Sequence, residues 1–175
     1  MEKRRAPLVE VVVGLELRRP LDGAGSLERA GFETRELTRD EVPALLAAAP
    51  ALRRPLAALD AVAPAGWRCF VALDAGVPVH VSFVETRPRR PVLFGSMTEP
   101  AARGRGAFRA VVSLIDERLR AAGETTLFSS THSKNRASIR AHEAAGFAIT
   151  RRVPDVRLGG RSLRALARSL LPRRA

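Results

Sequence analysis

The residue types best suited to chemistry fall in two stretches. The first is Thr98-Glu99-Pro100-Ala101-Ala102-Arg103-Gly104-Arg105-Gly106-Ala107-Phe108. The second is Asn135-Arg136-Ala137-Ser138-Ile139-Arg140-Ala141-His142-Glu143-Ala144-Ala145-Gly146-Phe147. The apolar run Val92-Leu93-Phe94 ahead of the first reads as a buried strand. Phe108, Val111, Val112, Ile115, Leu119 and Ala122 behind it fall on one helix face. A strand that passes through glycines into a helix points turn amides and the unpaired N–H groups of the first helical turn at one spot. Such a spot suits a phosphate or pyrophosphate, and Arg103 and Arg105 add charge there. No Gly-Lys-Ser/Thr follows, so the turn is no Walker loop, and it lacks the third glycine of a dinucleotide fingerprint. An ordinary glycine-rich connection is the plain alternative. In the second stretch Asn135 suits a helix cap and Gly146 a C′ position. Asn135, Ser138, Ile139 and His142 share a face by three- and four-residue spacing.

Together the two stretches resemble the GCN5-related N-acetyltransferase (GNAT) superfamily. Arg103 to Phe108 is similar to its Arg/Gln-x-x-Gly-x-Gly/Ala turn, which binds the coenzyme A pyrophosphate. Asn135 to Phe147 is similar to its Asn-x-x-Ala/Ser-x-x-x-Tyr-Glu-x-x-Gly-Phe segment. The resemblance covers residues 92–150 and extends back to about residue 32. The sequence departs from it at Phe108, where the family has Gly or Ala, and at His142, where it has tyrosine; the chain contains no tyrosine.

The resemblance implies an α+β fold in one domain: a central twisted, mixed but mostly antiparallel sheet with flanking helices. It implies acetyl transfer from acetyl-CoA, with no metal, to a primary amine of a small molecule. A protein amine is the alternative acceptor, and a non-catalytic coenzyme- or polyanion-binding module is the alternative to an enzyme. Met97, Thr98, Arg103, Gly104, Arg105, Gly106, Ala107, Phe108 and Asn135 are the implied coenzyme-binding positions. The departing thiolate has a reference pKa near 8.5 and needs only a modest acid, for which His142 stands in the tyrosine position. Many relatives carry a glutamate early in the strand before the phosphate turn; here that strand opens Val92-Leu93-Phe94-Gly95. Glu85 acting through water, Glu99 and His132 therefore stay open as bases.

At 175 residues with 46% hydrophobic composition the chain suffices for one domain with a sizeable core. Its net charge of +12 comes almost wholly from arginine, with Lys3 and Lys134 as the only lysines. The arginines are scattered and no stacking aromatics are interleaved among them. A compositional bias toward arginine together with an anionic coenzyme therefore explains the charge better than nucleic acid does, and nucleic acid stays the weaker reading. One cysteine, Cys69, excludes a disulfide framework and alternates with Trp67 and Val71 on an apolar strand face; no Cys/His cluster has metal spacing. Glu10 and Glu16 break the early apolar run, so neither a signal peptide nor a membrane span is read there, and a cytoplasmic location is the expectation.

The positioning elements follow in order. Residues 8–18 read as a strand and 19–30 as a loop. Residues 1–31 are thus an extension ahead of a 32–175 acetyltransferase-like domain, its strand taken as an added edge strand or a homodimer contact. Phe32–Leu37 reads as a strand, and Thr38 with Glu41 forms a capping box for helices broken near Pro50 and Pro55. By resemblance those helices line the acceptor pocket, where Asp60 is a candidate amine contact. A hairpin follows, Arg68–Leu73 with Val77–Glu85, in which His80 and Ser82 face away from the valines. Phe147–Leu158 reads as strand, and residues 161–171, basic and leucine-rich, as a final strand paired through Gly159-Gly160 or as an amphipathic helix.

Overall fold

A computed structural model of the chain describes residues 9–21, 31–52, 59–60, 63, 66–158 and 161–162. Its elements are β1 (Val9–Pro20), β2 (Glu33–Leu37), α1 (Val42–Ala48), β3 (Trp67–Asp74), β4 (Val77–Glu85), β5 (Val92–Thr98), α2 (Ala107–Ala121), β6 (Thr126–His132), α3 (Arg136–Ala144), β7 (Ala148–Leu158) and β8 (Arg161–Ser162). The strands form one eight-stranded sheet in the order β2-β3-β4-β5-β6-β1-β7-β8. Only the β5–β6 pair is parallel, so the mixed, mostly antiparallel α+β architecture expected from the resemblance is present.

Two apolar layers hold the helices. On one face Leu15, Leu17, Phe70, Val84, Leu93 and Leu127 pack under Val111, Val112 and Ile115 of α2. On the other, Val71, Val81 and Phe83 pack with Val42, Leu45 and Leu52 of the α1 region. Thr38 and Glu41 do bond, Oγ1 to Oε2 at 2.8 Å, but they close a turn; with a proline in its first turn, α1 begins only at Val42.

The N-terminal strand is not at an edge. β1 runs between β6 and β7, paired antiparallel with both. Its placement has a physical cause: Leu15 and Leu17 bury under α2, while Arg19 enters the core beside Asp116. Arg19 Nε donates to Asp116 Oδ2 at 2.8 Å and Nη1 donates to the Ala145 carbonyl at 2.6 Å, with side chains 5% and 2% exposed. One guanidinium thus ties the strand to α2 and to the end of α3. Gly146 completes the clamp: its φ is +77°, and a Cβ there would run into Arg19 Nη1. Of residues 161–171, Arg161–Ser162 pair with β7 as strand; the remainder and the Gly159-Gly160 turn lie outside the described residues.

Candidate active site

β5 and β6 pair only at Val92–Phe128 and Leu93–Ser129 and then part. Beyond those pairs β5 lines a cavity of about 730 Å3, walled also by β4, the turn after β5, the start of α2 and one side of α3. Ser96, Met97 and Thr98 enter from β5, and Arg103, Gly104, Arg105, Gly106, Ala107 and Phe108 from the turn and helix start. Asn135, Ser138 and His142 enter from α3. The two stretches singled out by residue type therefore meet at one opening.

The turn has the expected form. Pro100–Ala102 make a 3-10 turn, and Gly104 and Gly106 take φ of +76° and +91°, left-handed values that favour glycine. The first α2 bond runs from the Ala110 amide to the Gly106 carbonyl at 3.0 Å, so the Ala107, Phe108 and Arg109 amides precede the helical ladder and are free for a ligand. Arg103 Nε donates to the Thr98 carbonyl at 3.4 Å. Arg105 is committed elsewhere: its guanidinium pairs with Asp74 at 2.8 Å and lies over the Phe32 ring. Arg109 also lines the cavity, and its buried Nε has no partner among the described residues. A glycine cradle, first-turn amides and an orphaned guanidinium nitrogen fit an anionic, phosphate-like group.

Asn135 caps α3, its Oδ1 accepting the Ser138 amide at 3.1 Å, which leaves its Nδ2 donors available to the cavity. His142 is 5% exposed and forms part of the wall. Its Nδ1 lies 2.8 Å from the Ser138 carbonyl and its Nε2 2.9 Å from Ser129 Oγ. A carbonyl only accepts, so the proton sits on Nδ1 and Nε2 faces the serine. Burial pushes the imidazole below its ordinary value, against the opposing Ser138 bond. His142 is thus a neutral ring whose Nε2 shares the single Ser129 hydroxyl hydrogen with the Leu93 carbonyl, 3.2 Å from Ser129 Oγ; the Phe108 ring meets it tilted at 5.0 Å and the Phe147 ring edge-on at 5.1 Å.

Glu85 and His132 are not brought to this cavity. Glu85 ends β4 opposite Val92, where β5 begins, and pairs with Arg87 at 2.7 Å. Five residues of strand, about 16 Å, separate it from the cavity residue His80. His132 points to the sheet face opposite Ser129 and Thr131, the β6 residues that bond α3, and its Nδ1 accepts the Lys134 amide at 3.0 Å. Asp60 is not among the cavity-lining residues; its Oδ1 accepts from Arg39 Nη2 at 2.6 Å and Trp67 Nε1 at 2.9 Å. No aspartate or glutamate is among the described residues that line the cavity. No His, Cys, Asp and Glu group among the described residues has the makings of a metal site, and no described helix is long and apolar enough to cross a membrane.

The sequence reading missed a buried polar chain in the cavity wall. His80, 1% exposed, contacts Thr98 Oγ1 through Nδ1 at 2.7 Å and Ser82 Oγ through Nε2 at 2.8 Å; Ser82 Oγ in turn meets Ser96 Oγ at 2.8 Å. The available signal was the two-residue spacing of His80 and Ser82 facing that of Ser96 and Thr98 on neighbouring antiparallel strands.

The model of the acetyltransferase (GNAT) family matches residues 30–147. No curated protein matches the sequence significantly. Among solved structures, a GNAT-family protein of Novosphingobium aromaticivorans is similar at TM-score 0.60 and 20% identity, over 89% of this chain and 69% of that one. A GCN5-related N-acetyltransferase of Sphaerobacter thermophilus is similar at TM-score 0.65 and 18% identity, over 85% of this chain and 52% of that one. The ribosomal-protein-S18-alanine N-acetyltransferase of Escherichia coli is similar at TM-score 0.55 and 17% identity, over 66% and 76%. The chain thus spans only about half the length of some of the structures it resembles, and at these identities the likeness is one of fold.

Proposed function

The chain belongs to the acetyltransferase (GNAT) family, and on that premise we propose that it transfers an acetyl group from acetyl-CoA to a primary amine of a small molecule. The observation that carries this proposal is the parting of β5 and β6 beyond Leu93 and Ser129, directly beside the left-handed Gly104–Gly106 turn. First-turn amides of α2, Arg103 and Arg109 are suited to hold phosphates, and Ser96, Met97, Thr98 and Asn135 to flank the arm that follows. Bound there, acetyl-CoA would supply the activated thioester. The protein's own contribution is then chiefly to hold two reactants in one cleft, which can account for many orders of magnitude in rate.

With no carboxylate among the described residues that line the cavity, an amine that arrives unprotonated is the simplest acceptor. His142, kept neutral by burial against the opposing Ser138 bond, shapes the wall; direct proton donation from its Nδ1 would first require that bond to break. The Escherichia coli neighbour is named for acetylating an alanine of a ribosomal protein, which keeps a protein amine as the alternative acceptor.

The test is release of free thiol from acetyl-CoA in the presence of a panel of small amines and of peptide N-termini. Protein-dependent release with a small amine is the expected result. Release with peptides alone would move the acceptor to proteins, and none with any amine, despite coenzyme binding, would leave a coenzyme-binding module.

A further inference from the structure

The buried chain Thr98–His80–Ser82–Ser96 has a property that follows from counting hydrogens. Burial holds His80 neutral, with its pKa brought down to about 3, so only one of its ring nitrogens carries a proton. Each hydroxyl has a single hydrogen, and Ser82 is fully buried, so its hydrogen stays within the chain. If Nδ1 bears the proton, it donates to Thr98 Oγ1; Ser82 then donates to Nε2, and Ser96 to Ser82. Thr98 keeps a free O–H for the cavity, while Ser96 offers only lone pairs. With the proton on Nε2 every bond reverses, and Ser96 donates to the cavity while Thr98 accepts.

In either state the two cavity hydroxyls play opposite parts. Ser96 and Thr98 lie two residues apart on one strand face, about 7 Å along β5, and both line the cavity. His80 also packs at 5.7 Å against Phe108, the first-turn residue of α2, so the chain is braced against the turn.

We propose that His80 is a positioning residue which, directly and through Ser82, fixes Thr98 and Ser96 as one donor and one acceptor toward the amide groups of the coenzyme's pantetheine arm. This rests on the acetyl-CoA reading above. Amides present both an N–H and a carbonyl, and a wall with one hydroxyl of each sense matches them, where two freely rotating hydroxyls would lose entropy on binding.

Ser82→Ala is the informative variant, because it cuts the link from His80 to Ser96 and leaves both cavity hydroxyls in place. Calorimetry with coenzyme A is compared with adenosine 3′,5′-bisphosphate, which carries phosphates but no arm. The expected result is a three- to tenfold weaker Kd for coenzyme A, about the worth of one hydrogen bond, with the bisphosphate unchanged. Ser96→Ala added to Ser82→Ala should then cost little more, because the two residues act as one unit. His80→Phe should weaken coenzyme A at least as much, and if it fails to fold, Ser82→Ala still decides. Unchanged coenzyme A binding in Ser82→Ala, or equal weakening of both ligands, would overturn the proposal and leave His80 as a pin between strands. Wild-type protein that binds no coenzyme A at all would instead remove the acetyl-CoA reading, and this inference with it.

Discussion

Replacing Arg19 with methionine tests the clamp that seats β1. The guanidinium holds Asp116, a carboxylate 1% exposed, and donates to the Ala145 carbonyl. Without it a buried charge loses its partner, which costs about 3–5 kcal/mol, and a buried carbonyl loses a donor, worth up to about 1–3 kcal/mol more. Protonation of Asp116 limits the total, so a loss of about 4 kcal/mol is expected at neutral pH, a large share of a domain's usual 5–15 kcal/mol. Urea unfolding followed by fluorescence of Trp67, the single tryptophan, reads it. The pH dependence has a definite sign. Burial already holds the Asp116 carboxyl above its ordinary value, against the pull of Arg19 and Arg120, and removing Arg19 raises it further. A carboxyl raised in the native state favours folding below its ordinary value near 3.8, and that contribution is lost as pH rises through the native value. The variant's deficit should therefore shrink on acidification from pH 7 toward pH 4. Arg19→Met with Asp116→Leu should recover most of the loss, since an apolar pair of similar volume needs no solvation. A single-variant loss below about 1 kcal/mol, or a deficit that grows in acid, would refute the clamp.

Gly146→Ala should cost about 2–4 kcal/mol in the same assay, from a left-handed φ and a Cβ driven into Arg19, whereas Gly123→Ala, at φ +78° with open space around it, should cost only about 1–2 kcal/mol. Cys69 is buried and its thiol is pushed up to about 12 by burial and by Glu36 and Glu41. Native protein at pH 8 should therefore resist an aromatic disulfide reagent, reacting stoichiometrically only when unfolded. With no carboxylate among the described cavity residues to serve as base, kcat/KM should rise with pH in step with the amine's own deprotonation. A plateau governed by a pKa that stays fixed when the amine is changed would reveal a protein base.

Local signals carried much of the site. The β5–turn–α2 unit was legible because an apolar run, paired glycines and a 3.6-residue period each admit few conformations, and the Asn135 cap and Gly146 stop were legible for the same reason. The seat of β1 was not. Alternating Leu15 and Leu17 mark a strand, but its neighbours come from residues 126–132 and 148–158, and Pro20 together with the glycines beyond made Arg19 look like the start of a loop. Glu85 passed as a candidate base because alternation fixes the face of a strand and not its reach along the sheet. Only the pairing of Glu85 with Val92 and of His80 with Thr98 shows which end of β4 meets the cavity. His80 was visible as facing away from the valines, yet its hydroxyl partners depend on a register that shifts between Val81 and Phe83.

Above all, the parted strands and the glycine turn should receive an acyl-coenzyme A. Calorimetric titration of acetyl-CoA into the wild-type protein at low salt tests it most directly. One-to-one binding with a Kd on the order of micromolar is the expected result; absence of binding up to millimolar acetyl-CoA would contradict it.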